Sequence, residues 1–171
     1  MKKVSDIHAI KIIFFITACY VGLWAIRIPT IKDQLQTDYV GVGYIMLSFA
    51  IGSIVAMIFA NALILKTSTK SILTCTLIAE GCLWLPVPFI QELWLFMVFS
   101  FVFGMSYGAF EIACNVYASN LEVREKKSMM SGFHAFWSLG VLFGSLITSF
   151  LLEWNYTCLL YTSPSPRDTR R

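Results

Sequence analysis

Charged residues are scarce in this sequence: Asp, Glu, Lys and Arg make up only 13% of its 171 residues, whereas 57% are apolar. A soluble globular chain usually carries about a quarter charged residues. The charges that are present lie between apolar runs instead of along one face of each run. This scarcity argues against an ordinary water-soluble domain. It predicts an all-α, polytopic membrane protein that lies in the lipid bilayer.

The sequence before the last few residues also lacks an excess of positive charge. The formal net charge is +3, and Arg167, Arg170 and Arg171 near the end supply all of it. A nucleic-acid-binding protein would instead carry a basic patch on its folded part. We therefore expect no nucleic-acid partner.

Paired cysteines and catalytic motifs are absent as well. The sequence has no Cys-x-x-Cys pair, no His-Glu-x-x-His helix and no Gly-x-Ser-x-Gly elbow. The five cysteines are scattered, four of them within apolar runs: Cys19, Cys75, Cys82, Cys114 and Cys158. We predict no disulfide framework, no metal site, no cofactor and no enzymatic activity.

Five apolar segments have the length of membrane-spanning helices. They cover roughly 8–27, 40–64, 71–90, 93–118 and 129–152. A spanning helix needs about 20 largely apolar residues. The first segment is not followed by the small-residue cleavage site of a signal peptide, so it too predicts a span. We expect it to end at Arg27-Ile-Pro29, and Thr37-Asp38 to cap the second helix.

Basic residues fall mostly on one side of these five segments. They lie near the N-terminus, between segments two and three, and between segments four and five, in the stretch Glu122–Lys127. The positive-inside rule then places the N-terminus in the cytoplasm. A multi-pass protein of a bacterial-type cytoplasmic (inner) membrane is the expected location.

The fourth segment carries the clearest polar pattern. Small and polar residues recur every three or four positions, which puts them on one helix face: Ser100, Gly104, Gly108, Glu111, Asn115 and Ala118. Close helix packing explains the glycines but not the acid. Because ionisable groups inside a membrane are costly and usually functional, Glu111 and Asn115 predict a solute or proton pathway.

Three residues of the first segment, Tyr20, Trp24 and Arg27, share a second such face. One interpretation is an anchor in the headgroup zone, which Trp and Arg favour. The other is the wall of a solute pathway, with Arg27 near its outer mouth. The sequence leaves both open.

Two further ionisable groups lie inside apolar segments. Glu80, near the middle of the third, is interpreted as a buried, hydrogen-bonded acid packed between helices, with proton handling as the alternative. His134, near the start of the fifth, is interpreted as a structural or gating residue, because a lone buried histidine is more often a hydrogen-bonding strut than a ligand.

Three strings of residues resemble one known family. They are Gly22–Pro29 (GLWAIRIP), Asn115–Glu122 (NVYASNLE) and Ser128–Gly140 (SMMSGFHAFWSLG). Together they resemble the major facilitator superfamily and, more narrowly, its bacterial fucose-permease-like branch. The resemblance implies twelve helices in two six-helix halves, a substrate site at the midplane and alternating access. It also implies a proton-coupling role for Glu111, whereas Glu80 has no counterpart in the family pattern.

The loop between the second and third segments departs from the family pattern. The superfamily usually has Gly-x-Leu-Ala-Asp-Arg-x-Gly-Arg-Lys, and this chain has Leu65 for the Asp and Ser68 for the second Gly. Lys66 and Lys70 keep the basic positions, so a gating or structural role is retained for them. The Gly-Pro signature of drug–proton antiporters is absent from the fifth segment.

Residues 1–155 are thus expected to form a partial N-terminal half with five of its six helices. Residues 156–171 shift abruptly to Ser, Pro and Arg and resemble translated adapter sequence, so we expect a non-native or disordered tail. The sixth helix and the C-terminal half of the same transporter are expected as the missing partner.

The leading hypothesis is a fragment of a proton-coupled secondary transporter of a small polar solute such as a sugar. The alternatives are a drug or metabolite efflux antiporter, and a non-transporting membrane scaffold or receptor on the same fold.

Overall fold

Long α-helices account for nearly all of the part of the chain that the structure, a computed structural model, describes. It describes residues 2–154, and the side chains of these except at positions 2–5, 61 and 65. Within this range the helices are α1 (Lys2–Gln34), α2 (Tyr39–Lys66), α3 (Thr69–Leu83), α4 (Leu93–Glu125) and α5 (Met130–Glu153). The predicted tail at 156–171 lies outside the described residues.

The prediction of an all-α, polytopic membrane protein is confirmed. Five helical stretches between Asp6 and Glu153 are long and apolar enough to cross a membrane. The expected cap of α2 is present, since the Asp38 carboxylate accepts a hydrogen bond from the Gly41 amide at 2.9 Å. The Ser68 hydroxyl caps α3 in the same way through the Ser71 amide, at 3.1 Å.

The helix α1 continues beyond the point where we expected it to end. Pro29 lies inside the helix, which runs on to Gln34. Proline removes one N–H donor, a loss that membrane helices tolerate because neighbouring groups compensate. The added turns bury Ile31 and Leu35 in an apolar cluster, and Gln34 Nε2 donates to two backbone carbonyls of the 87–90 segment at 2.9 and 2.7 Å. This packing outweighs the local cost of the proline.

Two other helix ends also differ from the predicted 71–90 and 93–118. The helix α3 stops at Leu83 and is followed by a short 3₁₀ turn, Val87–Phe89, because Pro86 and Pro88 cannot continue an α-helix. The helix α4 runs on to Glu125, so most of the charged stretch that we expected to be a loop is helical. The end of an apolar run shows where a helix leaves the hydrocarbon core of the membrane. The helix itself can continue beyond that point, because its backbone hydrogen bonds do not depend on apolar side chains.

Glycine contacts join the helices into two groups. A β-carbon built at Gly140 or Gly144 of α5 would overlap a backbone carbonyl of α1, and one at Gly22 of α1 would overlap a carbonyl of α5. On the other side of the bundle, Gly104 and Gly108 of α4 meet carbonyls of α2 in the same way. Small residues allow helix backbones in lipid to approach this closely. The result is an α1–α5 pair and an α2–α4 pair.

The helix α3 packs against α4. The Ser106 hydroxyl of α4 donates to the Thr76 carbonyl of α3 at 3.4 Å. The described bundle therefore consists of the α1–α5 pair and an α2–α3–α4 group. We call the boundary between these two groups the seam.

Apolar clusters lie towards the two ends of the described bundle. We call the end that carries Lys66, Lys70 and Arg124 the basic end. The cluster there is built from α1, α3, α4 and α5: Ile10, Phe14, Ile72, Leu73, Phe110, Ala113, Cys114, Ala118, Leu121 and Phe133. The cluster at the opposite end comprises Ile31, Leu35, Ile45, Val87, Ile90 and Phe96.

Candidate functional site

Two cavities lie along the seam. The first, which we call the Glu111 cavity, has a volume of about 270 Å³ and is formed by α1, α4 and α5. The second, the Glu80 cavity, has a volume of about 190 Å³ and is formed by α1, α2, α3 and α4. Tyr107 of α4 lines both cavities. The site is therefore two adjacent compartments that share one tyrosine.

Three of the residues singled out in the sequence meet in the Glu111 cavity. Glu111 and Asn115 of α4 face it together with His134 of α5, and its other lining residues are Phe14, Tyr107, Phe110, Cys114 and Trp137. The step of four residues from Glu111 to Asn115 puts both side chains on one face of α4. The predicted grouping of an acid and an amide is thus observed, and His134 is added from another helix.

Asn115 reaches Glu111 in a way that the sequence did not predict. Its Nδ2 donates to the main-chain carbonyl of Glu111 at 2.9 Å, not to the carboxylate. Such a bond to the residue one turn earlier ties the amide to its own helix. The carboxylate of Glu111 is therefore not held by the amide of Asn115.

His134 packs against an aromatic ring of α1. Its ring centroid lies 5.8 Å from that of Phe14 in an edge-on arrangement, and the residue is exposed. Its neighbour Ser138 donates to the His134 carbonyl at 3.1 Å. His134 is thus positioned by packing and remains accessible at the cavity, which suits either of the predicted roles, gating or structure.

The other predicted pathway residues of α1 lie in the second compartment. Tyr20 and Trp24 line the Glu80 cavity and not the Glu111 cavity. Arg27 is only 2% exposed, so its guanidinium lies within the bundle and not at the lipid-facing surface. Arg27 lines neither cavity. The structure therefore brings two of the three together with Glu80.

Glu80 is the most deeply buried acid of the site. Its residue is 1% exposed, and its Oε1 has no hydrogen-bond partner among the described residues. Glu80 was interpreted as a buried, hydrogen-bonded acid packed between helices; it is buried, but Oε1 makes none of the expected hydrogen bonds to the described residues. A buried carboxyl oxygen that lacks a partner is costly.

Tyr107 was missed in the sequence. It lies four residues before Glu111, one helical turn away on the same face, so the 3.6-residue periodicity already contained the signal. It was passed over because an aromatic residue in an apolar run looks like ordinary packing. Only the tertiary structure places it between the two acids.

Charged residues at the basic end organise the helix termini. Glu122 Oε1 accepts hydrogen bonds from the backbone amides of Met129 and Met130, at 2.5 and 2.7 Å, and so caps the start of α5. Arg124 Nη2 lies 2.9 Å from Asp6 Oδ2, which links α4 to α1. These contacts bridge the seam at the cytoplasmic side predicted from the sequence.

Lys66 and Lys70 are exposed at the same end. Lys66 closes α2, and Lys70 lies in the first turn of α3 with its Nζ 5.8 Å from the ring centroid of Tyr117. The Lys70 contact has the geometry of a cation–π interaction. It joins α3 to α4 at the point where the family's loop motif is degenerate, and a gating role remains a prediction.

Comparison with known proteins identifies the family. Residues 12–163 match the model of the Major Facilitator Superfamily, and this range includes residues 156–163 of the predicted tail. An uncharacterized MFS-type transporter of Yersinia pestis is 29% identical over 152 residues, which cover 87% of this chain and 39% of the relative. An uncharacterized transporter of Sinorhizobium fredii is 25% identical over 141 residues, with 77% and 35% covered. No solved structure matches the chain.

The chain spans little more than a third of the length of these two relatives. The family model nevertheless covers most of the chain, and the five described helices have the length and apolar character that a membrane transporter fold requires. The chain belongs to the Major Facilitator Superfamily.

Proposed function

We propose that the chain is part of a secondary active transporter that moves a small polar solute together with protons, with Glu111 as the proton-carrying group. The observation that carries this proposal is the position of Glu111 on a cavity inside a membrane helix bundle, with Asn115 and His134 on the same wall. Polar and ionisable groups at such positions are costly in lipid and typically mark ion or substrate pathways.

The chemistry of the Glu111 cavity suits a hydroxylated solute. Carboxyl, amide and imidazole groups offer both donors and acceptors to hydroxyl groups. Trp137 and Phe14 add aromatic surface to the same wall, and sugar-ring C–H groups pack well on apolar faces. A sugar is therefore the substrate class that we propose, in agreement with the resemblance to the fucose-permease-like branch.

Proton coupling would follow from the change in charge of the Glu111 carboxyl group when it gains or loses a proton inside the bundle. Protonated Glu111 is neutral and tolerates enclosure against the apolar cluster of the basic end, whose Phe14 and Phe110 also line the Glu111 cavity. The ionised form is held back, because an unpaired charge in an apolar environment is strongly disfavoured. Binding and release of one proton would thus decide whether the site can reorient.

Alternating access also requires a second half that moves against this one around the shared site. We propose that this partner is the C-terminal half of the same transporter, and that the protein spans a bacterial-type cytoplasmic membrane with its N-terminus inside. The basic residues at one end of the bundle support this orientation. Tyr20, Trp24 and Arg27 stay predicted parts of the pathway, reached from Glu111 by way of Tyr107.

The test uses the complete transporter reconstituted in liposomes that contain a pH-sensitive dye. Addition of a panel of monosaccharides that begins with L-fucose is expected to acidify the lumen when one of them is carried with protons. The Glu111→Gln variant should lose this acidification and uphill uptake by at least about tenfold, because glutamine mimics the neutral acid but cannot release a proton. Exchange of labelled sugar across the membrane without a gradient should survive.

The matched control is Glu92→Gln, which neutralises an exposed acid at the start of α4 whose side chain caps nothing. It should leave both acidification and exchange unchanged. Uptake by Glu111→Gln with unaltered dependence on the proton gradient would refute the assignment. Solute that leaves as protons enter would show an efflux antiporter instead, and no response to any sugar would favour a different substrate or a scaffold.

A further inference from the structure

Three buried polar atoms that lack a hydrogen-bond partner belong to side chains that line the Glu80 cavity. They are Glu80 Oε1, Thr17 Oγ1 and Trp84 Nε1, none of which has a partner among the described residues. The residues Glu80 and Thr17 are each 1% exposed. Unsatisfied buried groups are rare in folded proteins and call for a specific explanation. One cavity is thus lined by three side chains that carry an acid, a hydroxyl and an indole N–H without a partner.

Aromatic rings form most of the remaining wall. Trp84 lies at the centre, with its ring centroid 6.5 Å from Tyr20, 5.8 Å from Trp24 and 6.0 Å from Phe103. Phe49 and Tyr107 complete the frame, with ring centroids 5.5 Å apart. Aromatic faces attract organic cations, and groups of several rings are the usual recognition site for ammonium ligands.

Size limits the ligand. A dry cavity of roughly 150 Å³ holds a benzene molecule of six non-hydrogen atoms. The Glu80 cavity, at about 190 Å³, therefore suits a ligand only slightly larger.

We propose that the Glu80 cavity binds a small hydroxylated ammonium cation, whose charge pairs with Glu80 inside the aromatic frame. The ligand's hydroxyl would pair with Thr17 and Trp84. In this arrangement the ligand's positive charge supplies the counter-charge that a buried carboxylate requires, and its hydroxyl can accept from the indole N–H of Trp84 and donate to the hydroxyl of Thr17.

This inference goes beyond proton-coupled transport and does not depend on it. The Glu80 cavity contains neither Glu111 nor Asn115, and of the described residues Tyr107 alone lines both cavities. The Glu80 cavity residues Tyr20 and Trp24 are also predicted parts of the pathway, but cation binding needs neither Glu111 nor a proton gradient. Cation binding is measured at equilibrium, whereas proton coupling is measured as transport across a membrane. A negative result in one measurement therefore does not refute the other proposal.

The experiment titrates the purified protein in lipid nanodiscs with three probes of matched shape. Choline and protonated N,N-dimethylethanolamine carry the positive charge, and 3,3-dimethylbutan-1-ol replaces the charged nitrogen by carbon. Tryptophan fluorescence reports binding, because Trp24 and Trp84 line the cavity. The two cations should bind, and the neutral alcohol should bind at least about tenfold more weakly.

Two variants separate the contributions of charge and aromatic surface. Glu80→Gln keeps size and hydrogen-bonding capacity but removes the charge, and it should weaken cation binding by about tenfold or more without affecting the alcohol. Trp84→Phe keeps a ring but loses the N–H, and should weaken binding of all three probes by roughly threefold or more. Glu92→Gln, at the exposed start of α4, serves as the unaffected control.

Folding of each variant is checked by circular dichroism and gel filtration. Equal affinity for cations and alcohol would show an apolar cavity without cation selectivity and would overturn the proposal. Cation binding that survives in Glu80→Gln would overturn it as well, as would the absence of binding by any of the three probes at millimolar concentration. Should Glu80→Gln fail to fold, the comparison of choline with its neutral isostere in the wild-type protein still decides.

Discussion

Replacing Gly104 by alanine tests the contact between α2 and α4 directly. A β-carbon at this position would overlap the Phe49 carbonyl oxygen and would lie 2.9 Å from the carbonyl carbon and 3.1 Å from its Cα. These atoms belong to the backbone and cannot rotate away. Carbon atoms in contact prefer about 3.5–4.0 Å, so α2 must withdraw by roughly 1 Å.

The withdrawal of α2 would affect the whole crossing. Gly52 of α2 meets the Phe101 carbonyl of α4, and Gly108 of α4 meets that of Ser53, so a shift at Gly104 disturbs both contacts. The Ser48 hydroxyl also donates to the Met97 carbonyl at 2.9 Å along the same line. Overpacking of this kind typically lowers the free energy of unfolding by about 1–3 kcal/mol.

The control is Gly43→Ala, also in α2, where the added carbon would meet no atom of another helix within 4 Å. Alanine stabilises an open helix position by up to about 1 kcal/mol relative to glycine. The two glycine-to-alanine changes are thus chemically identical and should have opposite signs.

The measurement is unfolding of the purified chain in mild detergent by increasing amounts of sodium dodecyl sulfate, followed by circular dichroism. Gly104→Ala should unfold at a lower fraction of dodecyl sulfate than wild type, and Gly43→Ala at the same or a higher one. If Gly104→Ala were as stable as Gly43→Ala, the α2–α4 crossing would not be held by backbone contact, and the argument for two helix groups would be wrong.

Two further substitutions test the helix caps. Glu122→Gln should lower the free energy of unfolding and speed amide hydrogen exchange at the start of α5, since a neutral amide accepts less strongly from the two backbone N–H groups of Met129 and Met130; unchanged exchange there would contradict the cap. Asp38→Ala removes the acceptor of the Gly41 amide and should cost about 0.5–2 kcal/mol, measured by the same detergent titration, whereas Asp38→Asn should restore most of it.

Much of the fold could be predicted from the sequence, because bilayer thickness imposes a length on each apolar run. The five spans, the cap at Asp38 and the close packing at Gly104 and Gly108 follow from residue types and spacing alone. The ends of α1 and α4 did not follow, because they depend on tertiary contacts: Gln34 bonds to a distant loop, and Glu122 caps another helix.

The candidate site was predicted only in part. Periodicity established that Glu111 and Asn115 share a face, and that Tyr20 and Trp24 share another. It could not show which faces meet across the seam, because helical spacing carries no information about neighbouring helices. The sequence therefore allowed Tyr20 and Trp24 to line the same pathway as Glu111, with a headgroup anchor as the alternative, whereas in the structure they line the Glu80 cavity.

The glycine contacts have a mechanical consequence. At Gly22, Gly140 and Gly144 the backbones of α1 and α5 are in direct contact, so α1 cannot slide along α5 without a clash between a carbonyl group and a neighbouring side chain. The helices α2 and α4 are in contact in the same way. The two groups are thus stiff internally. Their common boundary holds side chains and two cavities instead of interlocked backbones. Any bending of this bundle is therefore concentrated in one plane, which contains both acids and the tyrosine between them.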